Sequence, residues 1–130
     1  MNYLARIVCI DDEPAIIELV NMIFIPENIQ VDSAYNGEDG LALIRRDPPD
    51  AVILDIMMPG MDGWEVYRRI RADKTLKNVP VIILTARNSS FEEIIARERA
   101  GVDDYVVKPF IPSDLRKSLA KVLGSHYQLR

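Results

Sequence analysis

A chain of 130 residues and 14.8 kDa, with 48% hydrophobic and 28% charged residues, suits one compact domain and argues against both disorder and a second ordinary domain. With 20 acidic against 16 basic residues the net charge is -4 and the pI about 5.0, a poor platform for nucleic acid or an anionic membrane. A lone cysteine excludes an internal disulfide framework, and no apolar stretch approaches the roughly 20 residues of a membrane span.

In chain order, Met1 to Arg6 carries no signal-peptide features and leads directly into an apolar run, so a reducing cytoplasm is the expected setting. That run, Arg6 to Ile10, predicts a first strand with Cys9 as a buried, inert thiol. Pro14 suits a first helical turn, and Ile16, Leu19, Val20 and Ile23 follow at helical spacing. The more polar run Gln30 to Tyr35 predicts an edge strand, with Asp32 discouraging edge pairing. Leu41 and Ile44 mark a second helix, stopped by Pro48-Pro49. Ala51 to Leu54 is apolar throughout, as parallel strands covered on both faces are. Trp64, Tyr67 and Ile70 mark a third helix, and Val79 to Leu84 a fourth strand. Phe91, Ile94 and Ile95 mark a fourth, mostly polar helix that Gly101 is placed to end. Tyr105 to Val107 gives the fifth strand, and Leu115, Leu119 and Val122 a fifth helix from Pro112 to near Gly124. Such alternation predicts an α/β fold, a doubly wound parallel sheet of flavodoxin-like type whose common five-stranded order is 2-1-3-4-5. Its site lies outside the carboxyl ends of the strands.

Polar residues fall at those ends. Asp11 and Asp12 follow the first strand, Asp55 the third, Thr85 the fourth and Lys108 the fifth. Each has an ordinary reading when taken singly: a helix cap for Asp11-Asp12, a turn for Asp55, a β-branched strand end for Thr85, a solvated loop cation for Lys108. Together they converge on one crevice, where three carboxylates raise one another's pKa and one lysine cannot balance them. A hard divalent cation such as Mg²⁺ answers that imbalance. Calcium-loop spacing is not matched, zinc lacks ligands with one Cys and one His (His126, away from the crevice in sequence), and no Gly-rich phosphate loop is present.

Four segments, Ile10-Asp11-Asp12-Glu13-Pro14, Asp55-Ile56-Met57-Met58-Pro59-Gly60-Met61-Asp62-Gly63, Leu84-Thr85-Ala86 and Asp104-Tyr105-Val106-Val107-Lys108-Pro109-Phe110, resemble the receiver domain of two-component response regulators in this order and spacing. The likeness covers essentially the whole chain, in the manner of a single chemotaxis-type receiver, and implies a receiver at 1–124 with a tail at 125–130. It implies that Asp55 is the phosphoacceptor, that Asp11, Asp12, Asp55 and the Met57 backbone carbonyl hold Mg²⁺ or Mn²⁺, and that Lys108 and Thr85 engage phosphoryl oxygens. Ala86 is small, as the family requires there. It further implies a switch in which Thr85 moves toward the phosphate and Tyr105 turns inward, altering the face of the fourth helix, fifth strand and fifth helix. That face carries Arg87, Arg97, Arg99, Lys117 and Lys121 beside Asp103 and Asp104. The implied donor is a sensor histidine kinase or a histidine phosphotransfer protein. The implied targets are a downstream protein, an output domain or a second copy joined on phosphorylation. The chain would modify itself and not act as an enzyme on external substrates.

Three positions stand out against the family pattern. Met57 and Arg87 follow Asp55 and Thr85 by two places each, where the resemblance implies side chains that influence access of water to the phosphate, and Met57 cannot hold a water strongly; Ile111 replaces a capping hydroxyl before the fifth helix, leaving Asp114 to favour its first turn. Three other functions remain to be weighed. An aspartyl-nucleophile phosphatase wants a second Asp where Met57 stands, a flavin carrier wants a phosphate loop where Asp11-Asp12-Glu13-Pro14 stands, and a degenerate receiver is at odds with intact Asp55, Thr85 and Lys108.

Overall fold

The computed structural model describes residues 2–86 and 102–124. Its strands are β1 (Ala5–Ile10), β2 (Ile29–Ala34), β3 (Ala51–Asp55), β4 (Val81–Ala86) and β5 (Asp104–Lys108). All pair in parallel, in the order β2-β1-β3-β4-β5. Helices α1 (Pro14–Phe24), α2 (Gly37–Arg46) and α3 (Gly63–Ala72) are followed, after β5, by the helix Pro112–Leu123. The expected fourth helix (Phe91, Ile94, Ile95, Gly101), the arginines 87, 97 and 99, the tail 125–130 and His126 lie outside the described residues.

Strand alternation builds two apolar layers. Ile7, Cys9, Ile53, Ile82 and Leu84 face one way and pack with Ile17, Val20, Ile23 and Phe24 of α1 and with Leu115, Leu119 and Leu123. Val8, Ile10, Val52, Leu54, Val81 and Ile83 face the other way and pack with Leu41, Ile44, Val66 and Ile70 of α2 and α3. Side chains of successive strand residues point to opposite faces, so a run that is apolar throughout must be covered twice. The central strands are accordingly sealed: Val8, Cys9, Ile10 and every β3 residue from Ala51 to Leu54 are fully buried. Cys9 is buried with them, and that burial, with the nearby Asp11 charge, pushes its thiol well above the ordinary range.

Several local details differ from the sequence expectations. The α1 core stripe is Ile17, Val20, Ile23 and Phe24, with Ile16 and Leu19 only partly buried at its flank. Asp11-Asp12 does not cap α1, because the N-cap residue is Glu13 and no side chain caps it. On the edge strand β2, Asp32 does not stand free: its Oδ2 accepts from Arg6 Nε of β1 at 2.7 Å. Strand β4 starts at Val81, not Val79, and runs on to Ala86, while β5 runs on to Lys108. The polar residues at these ends therefore still belong to the ladder. At Ile111 the missing cap is partly supplied by Asp114, whose Oδ2 accepts the Ile111 backbone N–H at 3.1 Å. The last described helix closes at Gly124, whose φ of 90° is strained for other residues.

Candidate functional site

Register brings the polar residues level. Ile10 pairs with Leu54, so Asp11 and Asp55 leave adjacent strands side by side. Thr85 pairs with Val107 and Ala86 with Lys108, which carries the lysine to the same edge. Asp11, Asp55 and Thr85 are all buried, at 0%, 2% and 0% exposure. Carboxylate oxygens of Asp11, Asp12, Glu13 and Asp55 lie within 4.8 Å of one another. Hard oxygen donors at that spacing fit a divalent cation of the Mg²⁺ type, which binds through carboxylates and keeps several waters.

Local turns fix the carboxylates. Asp11 Oδ1 accepts the Glu13 backbone N–H at 2.9 Å, and Asp55 Oδ1 accepts the Met57 backbone N–H at 3.1 Å. Both are two-residue returns of the kind aspartates make after a strand. Each leaves the second oxygen, Oδ2, turned to the crevice, where Lys108 Nζ stands 3.0 Å from Asp11 and 3.6 Å from Asp55. The ammonium also meets Glu13 Oε1 at 3.0 Å. Just beyond Asp55 the chain doubles back tightly to start α3. A Cβ on Gly63 would come within 2.3 Å of the Asp55 carbonyl oxygen and 2.4 Å of Ile56 Cα. Only a glycine admits this approach. Asp62 caps the helix by accepting the Glu65 backbone N–H at 3.0 Å.

Electrostatics follow from burial. Burial pushes the Asp55 carboxyl up to about 7, with the Met57 N–H opposing and the Asp11 charge adding. Asp11 is raised for the same leading reason. Lys108 is disfavoured by burial, but its bonds to Asp11 and Glu13 outweigh that and raise it, so it remains an ammonium. The crevice is thus an acidic cluster short of positive charge. The Thr85 hydroxyl donates its single O–H to the Ala86 carbonyl across a long 3.4 Å contact, so that proton is only weakly engaged.

Of the residues singled out in the sequence, Asp11, Asp12, Asp55, Thr85 and Lys108 gather at the carboxyl edge. The Met57 side chain is 52% exposed beside them. Tyr105 is not part of the cluster. It stands 45% exposed on β5, over a depression shared with Lys117, Ser118 and Lys121. Sequence reasoning did not assign Glu13 or Gly63. The acidic run from Asp11 to Glu13 was a signal for the first. The partner of Glu13, 95 positions away, was not visible.

Comparison with known proteins agrees with this geometry. The family model of the response regulator receiver domain matches residues 7–120. The transcriptional regulatory protein AfsQ1 of Streptomyces coelicolor is 45% identical over 100 residues, which cover 77% of this chain and 43% of AfsQ1. The chain thus spans less than half the length of that relative. Among solved structures, the N-terminal domain of a response regulator receiver protein from Methanoculleus marisnigri JR1 superposes with a TM-score of 0.75 at 34% identity, covering 89% of this chain and 94% of that one. The chemotaxis protein CheY4 of Vibrio cholerae gives a TM-score of 0.82 at 29% identity, covering 91% of this chain and 98% of that one. No helix among the described residues is long and apolar enough to cross a membrane.

Proposed function

The chain belongs to the response regulator receiver domain family of two-component systems, and we propose from that premise that it is a phosphoacceptor switch with Asp55 as the accepting residue. The observation that carries this reading is the convergence of three carboxylates on one ammonium at the edge of the sheet. Residues 1–124 would form the receiver and 125–130 a tail. The donor would be a phosphohistidine of a sensor kinase or phosphotransfer protein, in the cytoplasm.

In the transfer, an oxygen of the Asp55 carboxylate attacks phosphorus. The new O–P bond forms as the P–N bond to imidazole breaks, and the departing nitrogen keeps the electron pair. Positioning and charge neutralisation carry most of such a reaction. The Met57 N–H holds Asp55 Oδ1, which leaves Oδ2 facing the crevice as the attacking atom. Lys108 pairs with one phosphoryl oxygen as a point charge, and the Thr85 hydroxyl donates to another. Bound at Asp11, Asp12, Asp55 and the Met57 carbonyl, Mg²⁺ or Mn²⁺ would supply the positive charge that Lys108 alone does not. Hydrolysis reverses the state when water attacks phosphorus and the Asp55 oxygen leaves as a carboxylate. Both reactions occur on the chain itself, in keeping with a switch and not a turnover enzyme.

For readout, Thr85 moving toward the phosphoryl group would vacate space that Tyr105 fills, and the β5 face bearing Lys117 and Lys121 would change for a partner, an output domain or a second copy. Control of transcription, which the name of AfsQ1 states for that protein, is one output such a switch would serve. The test is intact mass after incubation with acetyl phosphate and Mg²⁺. One phosphoryl addition is expected, absent in Asp55→Asn and absent with a chelator. An addition that persists in Asp55→Asn would move the acceptor elsewhere.

A further inference from the structure

Glu13 has no duty in the reading above, yet it stands inside the cluster. It is the N-cap residue of α1, but its side chain does not cap the helix. Its Oε1 instead meets Lys108 Nζ at 3.0 Å, as close as buried Asp11 and closer than Asp55 at 3.6 Å. The side chains differ sharply in environment: Lys108 is 16% exposed, Asp11 0% and Glu13 58%. Glu13 therefore draws the ammonium toward the mouth of the crevice and away from Asp55.

An ammonium offers three N–H donors. Two of them are given to Asp11 and Glu13, and Asp55 lies beyond hydrogen-bond reach at 3.6 Å, so moving toward a phosphoryl oxygen on Asp55 draws Lys108 away from one of those two partners. The pair with Asp11, which is 0% exposed, is shielded from water and is the harder of the two to give up. Leaving Glu13 returns an exposed carboxylate to water, which costs little. We infer that Glu13 is a positioning residue that holds Lys108 at the crevice mouth in the resting protein and is exchanged for the phosphoryl group, so that it opposes retention of the phosphorylated state. This rests on the roles of Asp55 and Lys108 proposed above.

The test uses the full chain with Mg²⁺ and beryllium trifluoride, a non-covalent stand-in for a phosphoryl group on a carboxylate. Glu13→Gln should bind the mimic about two- to fivefold more tightly, the size of an exposed ion pair. Glu13→Asp keeps the charge but is one methylene short of Lys108, and it should tighten binding similarly. In a Lys108→Met background both changes should have no effect. In metal-free protein, the Lys108 ammonium signal in nitrogen-15 NMR should be retained in the unmutated chain and weakened by faster water exchange in Glu13→Gln. If Glu13→Asp binds like the unmutated chain while Glu13→Gln tightens, charge alone is at work and the inference is overturned. An effect of Glu13→Gln that survives in Lys108→Met overturns it as well. Should Lys108→Met not fold, the Gln and Asp pair and the NMR signal decide. An unmutated chain that binds no mimic defeats the reading of Asp55 itself, and the inference with it.

Discussion

Replacing the proposed acceptor should make the metal-free protein more stable. The carboxyl of Asp55 is 2% exposed, and burial pushes it from the usual 3.8 to about 7. The folded state thus holds its proton more tightly than the unfolded chain does. Between those two values the unfolded chain has lost a proton that the folded chain keeps, so this group's contribution falls as pH rises and is fully lost above about pH 7. The difference corresponds to at most about 4 kcal/mol. Asparagine is uncharged throughout and can still accept from the Met57 N–H, so Asp55→Asn avoids the loss. Freed of one neighbour, Asp11 is eased, while Lys108 loses a weak partner at 3.6 Å. We expect a gain of about 2–4 kcal/mol at about pH 8, roughly 10 °C in Tm for a domain of this size, shrinking toward zero near pH 4. Urea unfolding in a chelator across this range measures it. A variant no more stable than the unmutated chain at pH 8, or a gain that does not vary with pH, would refute the account of Asp55 as a buried, uncompensated carboxylate. Saturating Mg²⁺ should narrow the gap by stabilising the unmutated chain.

Other perturbations test the scaffold and the lifetime of the phosphorylated state. Gly63→Ala adds a methyl against the Asp55 and Ile56 backbone, so it should cost about 2–3 kcal/mol and reduce phosphoryl acceptance, although Ala is ordinarily the better helix former by about 1 kcal/mol; a stabilised Gly63→Ala would contradict the close approach. Arg6 is 13% exposed, bonds Asp32 at 2.7 Å and also donates to the Asp47 carbonyl, so Arg6→Ala should lower stability by about 2–3 kcal/mol, read as the urea midpoint, and leave phosphoryl acceptance intact. Met57 is exposed beside Asp55 and offers no polar group, so Met57→Asn should shorten the phosphate lifetime severalfold by holding a water there. An equal or longer lifetime in that variant would show that position 57 does not govern water.

What the sequence made legible was set by local chemistry. Runs such as Val52-Ile53-Leu54 can be satisfied only by cover on both faces, so strand type and parallel order followed from them. The ends of β4 and β5 were less legible, because pairing with a neighbour and not apolarity decides where a strand stops. Thr85 and Lys108 stay in the ladder through Val107 and Ala86. At the other end Pro80 donates nothing, yet its carbonyl takes the Val52 N–H at 2.9 Å, which marks the entry to β4. In α1, Ile16 and Leu19 fit helical spacing as well as Ile17 does, and only the sheet beneath selects Ile17 and Phe24. The Asp62 cap on α3, which accepts the Glu65 N–H, was not assigned from the sequence and came from the fold. The Glu13–Lys108 contact was not readable, since it joins residues that only the fold brings together.

The crevice is best understood as an imbalance that the scaffold can tolerate. Four carboxylates face a single ammonium among the described residues. Two of the acids, Asp11 and Asp55, stand at the ends of β1 and β3, strands buried along nearly their whole length. Their cost is spread over a sheet sealed on both faces, which holds them level whether or not they repel. Lys108 divides itself among three carboxylates and satisfies none of them fully. A phosphoryl group arriving alone would deepen the negative charge, whereas a divalent cation arriving first would relieve it. On the reading proposed above, an order would follow from this charge: a cation held by Asp11, Asp12 and Asp55 would favour ionised Asp55, and Lys108 would then leave Glu13 for the phosphoryl oxygen. A resting site that were already neutral would have no such order to impose, and its lysine would have no reason to move.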